Sequence, residues 1–276
     1  MAKATGESSW YLLAELEATR SLTNLTFNNH SAILAIARVA QARHDFPEAI
    51  RLSQQVLKTQ RGNEDAQAIM VTSHLAMGQL TVAKDEVTAL ASQNPNQGTL
   101  TLQALVQVAQ GHDKEATDTF KLALAAEEPG ETGSSAWTRT LLGQFNYRRG
   151  HLTEAGELYR EALRILPRYP QALLHLAELE TRQGDYKAAE SHYDQVNLAS
   201  QTASTIYDHV VLRGKARLKH LQGKETEARD LLNQAQKLLR QQTVAGQNTG
   251  AFGHRRELAR LLLESNRVED TVEALS

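Results

Sequence analysis

Residues 136–169 read AWTRTLLGQFNYRRGHLTEAGELYREALRILPRY. Leu142, Phe145 and Leu152 fit one helical face and the turn that follows it. Arg148-Arg149-Gly150-His151 interrupts that pattern, and Gly150 is free to take positive φ there. A second amphipathic run follows, with Ala155, Leu158, Tyr159, Ala162, Leu163 and Leu166 at i, i+3, i+4 spacing. Pro167 and Pro170 close the stretch, and Pro170 suits the start of the next helix, where a missing N–H costs nothing. The reading is helix, turn, helix.

Two ladders extend it along the chain. Alanine recurs at 49, 83, 116, 155, 189 and 228, at intervals of 34, 33, 39, 34 and 39 residues. Five residues ahead of each stand His44, Gly78, Gly111, Gly150, Gly184 and Gly223. A period near 34 marks a helix–turn–helix solenoid. Two antiparallel helices approach to about 8–10 Å only where the contact carries a small side chain, and the alanines supply it. The 39-residue intervals place insertions at 127–134 and 198–204. A polar, glycine-containing loop is expected at 241–251. Residues 254–263 then read as one more first helix, and 269–276 as a shortened second helix. Ser8 to Asn24 reads as an extra helix whose Trp10, Leu13 and Leu16 would cap the stack. Asp45 and Glu48 form a capping-box pattern, and Asn63 and Asp185 open later helices.

In 136–169 the residues resemble the tetratricopeptide repeat. Gly143, Gly150, Ala155, Tyr159, Ala162 and Pro167 match that family's small, Gly, Ala, aromatic, Ala and Pro positions in register. Ala177, Gly184, Ala189, Tyr193 and Val196 continue the register, and Gly78, Ala83, Leu90 and Pro95 keep it upstream. The resemblance implies an all-α, right-handed superhelical solenoid. It would have repeats at 30–63, 64–96, 97–130, 136–169, 170–203 and 209–242, a capping segment at 1–29 and a partial seventh repeat at 252–276.

Composition narrows the function. Net charge is −2 and pI about 6.6, which gives no bulk argument for nucleic acid or an anionic membrane. No cysteine occurs, so thiolate metal sites, disulfides and Cys nucleophiles are out. No apolar run reaches the ~18 residues of a membrane helix, and the first residues show no secretory h-region. The expected compartment is cytoplasmic, or periplasmic if a signal has been removed. No P-loop, dinucleotide fingerprint, nucleophile elbow or HExxH motif occurs. His44, His112 and His151 fall at turns but show no ligand spacing. No enzyme activity, metal or cofactor is expected.

The resemblance also implies which side chains line a concave groove, namely those at five positions of each first helix. These are Trp137, Thr140, Gln144, Tyr147 and Arg148 in the fourth unit. In the fifth they are Gln171, Leu174, Glu178, Thr181 and Arg182, and in the sixth Val210, Arg213, Arg217, His220 and Leu221. The first gives Ser31, Leu34, Arg38, Gln41 and Ala42, and the second Asp65, Ala68, Thr72, Leu75 and Ala76. Arginines and aromatics gather in the C-terminal half, which suits a peptide with an acidic segment or a free carboxylate. Trp137 is either a groove anchor or packing against the preceding insertion. The Lys/Asn clamp of chaperone-tail binders is absent: Leu34, Arg38, Thr140 and Gln144 stand there. The expected role is a non-enzymatic scaffold or adaptor for a protein or peptide partner, in a bacterial setting. A peptide-sensing regulator and a self-assembling homo-oligomer remain open.

Overall fold

The computed structural model describes residues 7, 9–198, 205–249, 255–264 and 268–275. Among them the regular structure is α-helical. The helices are α1 (Ser9–Asn24), α2 (His30–Ala42), α3 (Phe46–Leu57), α4 (Glu64–Ala76), α5 (Leu80–Gln93), α6 (Gln97–Gln110), α7 (Asp113–Ala125) and α8 (Thr132–Arg148). They continue as α9 (Leu152–Ile165), α10 (Pro170–Gln183), α11 (Tyr186–Leu198), α12 (Asp208–Leu221), α13 (Glu225–Thr249), α14 (Arg255–Glu264) and α15 (Val268–Leu275). The chain forms two compact units: Ser9–Ala172, and Leu173–Ser276 together with Met1–Ser8.

Both ladders explain the pairing. Ala49, Ala83, Ala116, Ala155 and Ala189 are 0% exposed and Ala228 is 3% exposed. All five ladder glycines have positive φ, and His44, the sixth member, takes the same left-handed turn at φ 63°. An L-residue pays roughly 1–2 kcal/mol there. His44 does so at a turn where its ring lies 5.7 Å from Phe46.

Within the unit Ser9–Ala172 each helix packs on the next, so the core runs from pair to pair. Ile33, Ala37, Leu52, Val56 and Ile69 join α2, α3 and α4. Val71, Val87, Leu90, Leu102 and Val106 join α4, α5 and α6. Phe120 meets Phe145 at a centroid distance of 6.1 Å, joining α7 to α8. In the unit of Leu173–Ser276, Ala235 and Leu239 of α13 pack with Leu258, Leu261 and Leu262 of α14. Two pairs carry one polar clasp in mirrored form. His74 Nδ1 donates to Glu86 at 2.7 Å, and His192 Nδ1 donates to Glu180 at 2.7 Å, so the imidazole and the carboxylate trade helices.

The caps at Asn63, Asp45 and Asp185 form, accepting from the amides of Ala66, Glu48 and Ala188. Glu48 does not complete the box, because its carboxylate is taken by Arg51. A complete box occurs instead at Asn96 and Thr99.

Several expectations are corrected. The segment expected as a loop at 241–251 is helical through Thr249, since α13 runs 25 residues. Gln and Ala are good helix formers, Thr and Val cost only a few tenths of a kcal/mol each, and the single interior Gly246 does not stop it. The first insertion is shorter than expected, because α8 starts at Thr132 behind an N-cap at Glu131. The second expected insertion, 198–204, lies almost wholly outside the described residues. Finally, α1 does not cap with Leu13 and Leu16, which are 47% and 63% exposed. It packs on α2 through Ala18 and Leu22 and is pinned by a bidentate Arg43–Glu15 pair at 2.5 Å. Leu13 and Leu16 lie on the opposite side of that helix.

Candidate functional site

In the unit Ser9–Ala172 the first helices of successive pairs, α2, α4, α6 and α8, touch one another in turn. The second helices α3, α5 and α7 touch their own partner and the next first helix. The first helices therefore form a shared wall. Ala68, Leu75, Leu105 and Trp137 pack part-buried over the core beneath it. Trp137 thus reaches back from α8 onto the core of α4, α5 and α6 and is half-buried there.

Trp137, Leu141, Gln144 and Arg148 recur at i, i+4, i+7 and i+11, which keeps them on one stripe of α8. Leu141 and Gln144 are half-buried and Arg148 is exposed. Arg148 forms no ion pair among the described residues. Tyr147 sits beside the stripe, half-buried. Arg149 has the opposite fate. Its guanidinium donates to both oxygens of Asp113, through Nε at 2.6 Å and through Nη2, and stacks 3.8 Å over the Phe145 ring.

Other residues expected at the groove are committed to the fold. Thr140 is 2% exposed and donates to Ala136 O at 2.7 Å. Leu34, Leu174 and Thr181 are also buried. Gln41 Nε2 donates across to Ile69 O, Thr72 and Ser73 of α4 at 2.8–3.1 Å. Arg38 pairs with Asp65 at 2.6 Å, both well exposed, a link worth little in water. The Gln41 bonds rivet the first helix α2 to α4.

The remaining candidates belong to the unit of Leu173–Ser276. Glu178 lies 3.8 Å from His175 on the same helix, and Arg182 is exposed. Arg213 is drawn to both oxygens of Glu264 at 3.3 Å, so the last helices neutralise it. His220 is exposed and meets Glu225 at 2.8 Å. Lys215 and Lys219 bind Asp194 and Glu190 of α11. Arg217 is exposed and forms no ion pair among the described residues.

Arg139 is a structural residue that composition hid. It stands where the repeat pattern has a bulky apolar side chain, yet is only 15% exposed. It holds Glu127 of the insertion at 2.6 and 3.0 Å and Glu161 at 3.1 Å. The Arg139 hydrogen bonds keep the Glu127 carboxyl below the usual carboxylate range, against the opposing effect of burial. The signal was an arginine at an inward position with an acid in the insertion before it.

Among the described residues no three His, Asp or Glu side chains gather as metal ligands. No described helix is long and apolar enough to cross a membrane.

The tetratricopeptide repeat family model matches residues 147–208. Among solved structures, a chain of the APC/C hetero-tetramer Cut9-Hcn1 aligns over 99% of this chain at TM-score 0.68 and 13% identity. The alignment covers 54% of that chain, so this one spans about half its length. PilW, a type IV pilus biogenesis factor, aligns over 76% of this chain and 93% of its own at TM-score 0.60 and 16% identity. PilF from Pseudomonas aeruginosa aligns over 76% and 91% at TM-score 0.57 and 17% identity. No curated protein matches in sequence.

Proposed function

We propose, on the premise that the chain is a tetratricopeptide-repeat protein, that it is a non-enzymatic scaffold holding an extended segment of a partner against its first-helix wall. The observation that carries this reading is the α8 stripe. Trp137 offers a half-buried aromatic ring on an apolar floor, Gln144 a side-chain amide, and Arg148 an exposed guanidinium with no ion pair among the described residues. Arg and Trp are the usual anchors of protein interfaces, and a pre-formed wall loses little to ordering on binding. An unpaired arginine favours a carboxylate on the partner. Arg217 offers the same chemistry separately on the other unit. PilW is named as a pilus biogenesis factor and Cut9-Hcn1 as part of a multiprotein assembly. Both fit a role in building a larger complex.

The test is affinity capture with the intact chain, identification of what binds, then titration of that partner against variants. Trp137→Ala and Arg148→Glu are each expected to weaken binding at least about tenfold, with the circular dichroism spectrum unchanged. Equal affinity for both variants and the wild type would overturn the assignment.

A second reading, self-association, is favoured by α1, which leaves Leu12, Leu13 and Leu16 44–63% exposed. Light scattering during size-exclusion chromatography decides it. A dimer that Leu13→Glu/Leu16→Glu dissociates supports it, and a monomer at all concentrations rejects it.

A further inference from the structure

Within the unit of Leu173–Ser276, α12 carries a stripe of its own. Val210, Arg213, Arg217 and Leu221 recur at i, i+3, i+7 and i+11, on one side of the helix. Val210 and Leu221 are exposed apolar side chains at its two ends. Arg217 is exposed and has no ion pair among the described residues. Arg213, one turn before it, faces Glu264, the last residue of α14.

That contact is loose. Arg213 Nη2 stands 3.3 Å from both Glu264 oxygens, beyond the roughly 2.7–2.9 Å of a charge-assisted hydrogen bond. The same carboxylate accepts from Arg260 Nε at 3.0 Å, one turn back on its own helix. Glu264 can therefore leave Arg213 without becoming an unpaired charge. Nor does α14 depend on the link, because Leu258, Leu261 and Leu262 pack it with Ala235 and Leu239 of α13. Arg213 and Arg260 share one carboxylate while Arg217 has no such partner among the described residues, so the stripe is short of anions.

We propose that α12 is a site for an extended acidic segment of a partner protein, and that Glu264 is its built-in competitor. At rest Arg217 alone reads a partner carboxylate. A segment with two acids turns Glu264 over to Arg260 and engages Arg213 as well. The spacing fits: side chains four apart on a helix stand about 5–6 Å apart, and alternate side chains of an extended strand share one face at about 6.4–6.8 Å. The matching segment thus carries acids at alternate positions. Glu264 already shows the chemistry that Arg213 accepts. The inference rests on the reading that unanswered arginines take partner carboxylates. It adds the number and spacing of the acids, and the residue that restrains the second arginine.

The test titrates acetyl-Glu-Ala-Glu amide onto the intact, ¹⁵N-labelled chain at low salt, where exposed charges are least screened. Acetyl-Glu-Ala-Gln amide is the single-acid control. On the wild-type chain the diacid is expected to give saturable shifts of the Arg213 and Arg217 Nε–Hε signals, and the monoacid of Arg217 alone. Glu264→Gln is expected to tighten the diacid about two- to fivefold, the worth of one exposed ion pair. Adding Arg213→Gln should abolish that gain. A gain that survives Arg213→Gln belongs to the equally released Arg260 and overturns the proposal. Equal diacid affinities for the wild type and Glu264→Gln overturn it too. If Glu264→Gln loosens α14, the wild-type comparison still decides: an Arg213 signal that the diacid leaves in place sinks the idea. Arg148→Glu is expected to change none of these titrations, so failure on α12 leaves the α8 reading standing.

Discussion

Replacing Gly143 by alanine tests the packing logic at its tightest point. A β-carbon built on Gly143 would lie 2.5 Å from Tyr159 Cε1, 2.8 Å from Cδ1 and 3.2 Å from Cζ. Ordinary carbon–carbon contact is about 3.5–4.0 Å, so the ring would have to retreat by roughly 1 Å. Tyr159 is 0% exposed and cannot swing into solvent. Two effects oppose one another. Alanine in a helix interior gains about 0.8–1.0 kcal/mol over glycine, whereas forcing a methyl into a filled core costs about 1–3 kcal/mol. The clash wins, with a net loss of about 1 kcal/mol, or roughly 2–4 °C in Tm for a domain of this size. Urea unfolding followed by far-ultraviolet circular dichroism measures it. In a Tyr159→Leu background the ring is gone and the sign should reverse, so that Gly143→Ala becomes stabilising. Gly150→Ala is the control: its β-carbon meets nothing within 4 Å, but its φ is +85°. Its loss is conformational, about 1–2 kcal/mol, and should not depend on residue 159. A Gly143→Ala protein more stable than wild type, with Tyr159 intact, would refute the reasoning.

Ala155→Leu should cost about 1–3 kcal/mol by overpacking a helix crossing that is 0% exposed, read as a lowered thermal midpoint. Acid titration tests the Arg139–Glu127 pair. Glu127 has a lowered folded pKa, so its contribution is complete above the unfolded value of about 4.3 and is lost as pH falls through the folded value. Urea midpoints from neutral pH down to acid should therefore fall less steeply for Glu127→Gln than for wild type, and parallel curves would remove the pair from the account. Arg149→Ala should lower the melting temperature through loss of its Asp113 and Phe145 contacts, while Arg148→Ala should leave it unchanged. Equal effects of the two would contradict their assignment.

The helix pairs were legible because two constraints repeat at fixed spacing. A crossing accepts only a small side chain, so six alanines stand where helices meet. A left-handed turn favours glycine, and His44 in the same conformation shows that the position, not the residue, repeats. Features set by single contacts were not legible. Nothing in α1 says which of its apolar sides meets α2. Ala18, the least conspicuous residue of that side, is the one buried, with Leu22 packed beside it, while Leu12, Leu13 and Leu16 stay out. The run 241–249 reads as a loop from its polarity, but continuing a helix that has already started needs only residues of adequate propensity and no proline.

For the candidate site, the resemblance supplied a list of positions but not the competition for each side chain. Arg148 and Arg149 are neighbours of one type, separated by about 100° around the helix. That rotation carries Arg149 over Phe145 to Asp113 and leaves Arg148 on the Trp137 stripe. Arg213 and Arg217 divide in the same way, one answered by Glu264 and the other without an ion pair among the described residues. A charge already matched inside the molecule must surrender that match before it can bind anything else, so it adds little to affinity. A partner with a carboxylate should therefore be read by Arg148 or Arg217 and be nearly indifferent to Arg149 or Arg213, a ranking that four single charge reversals in one binding titration would reveal.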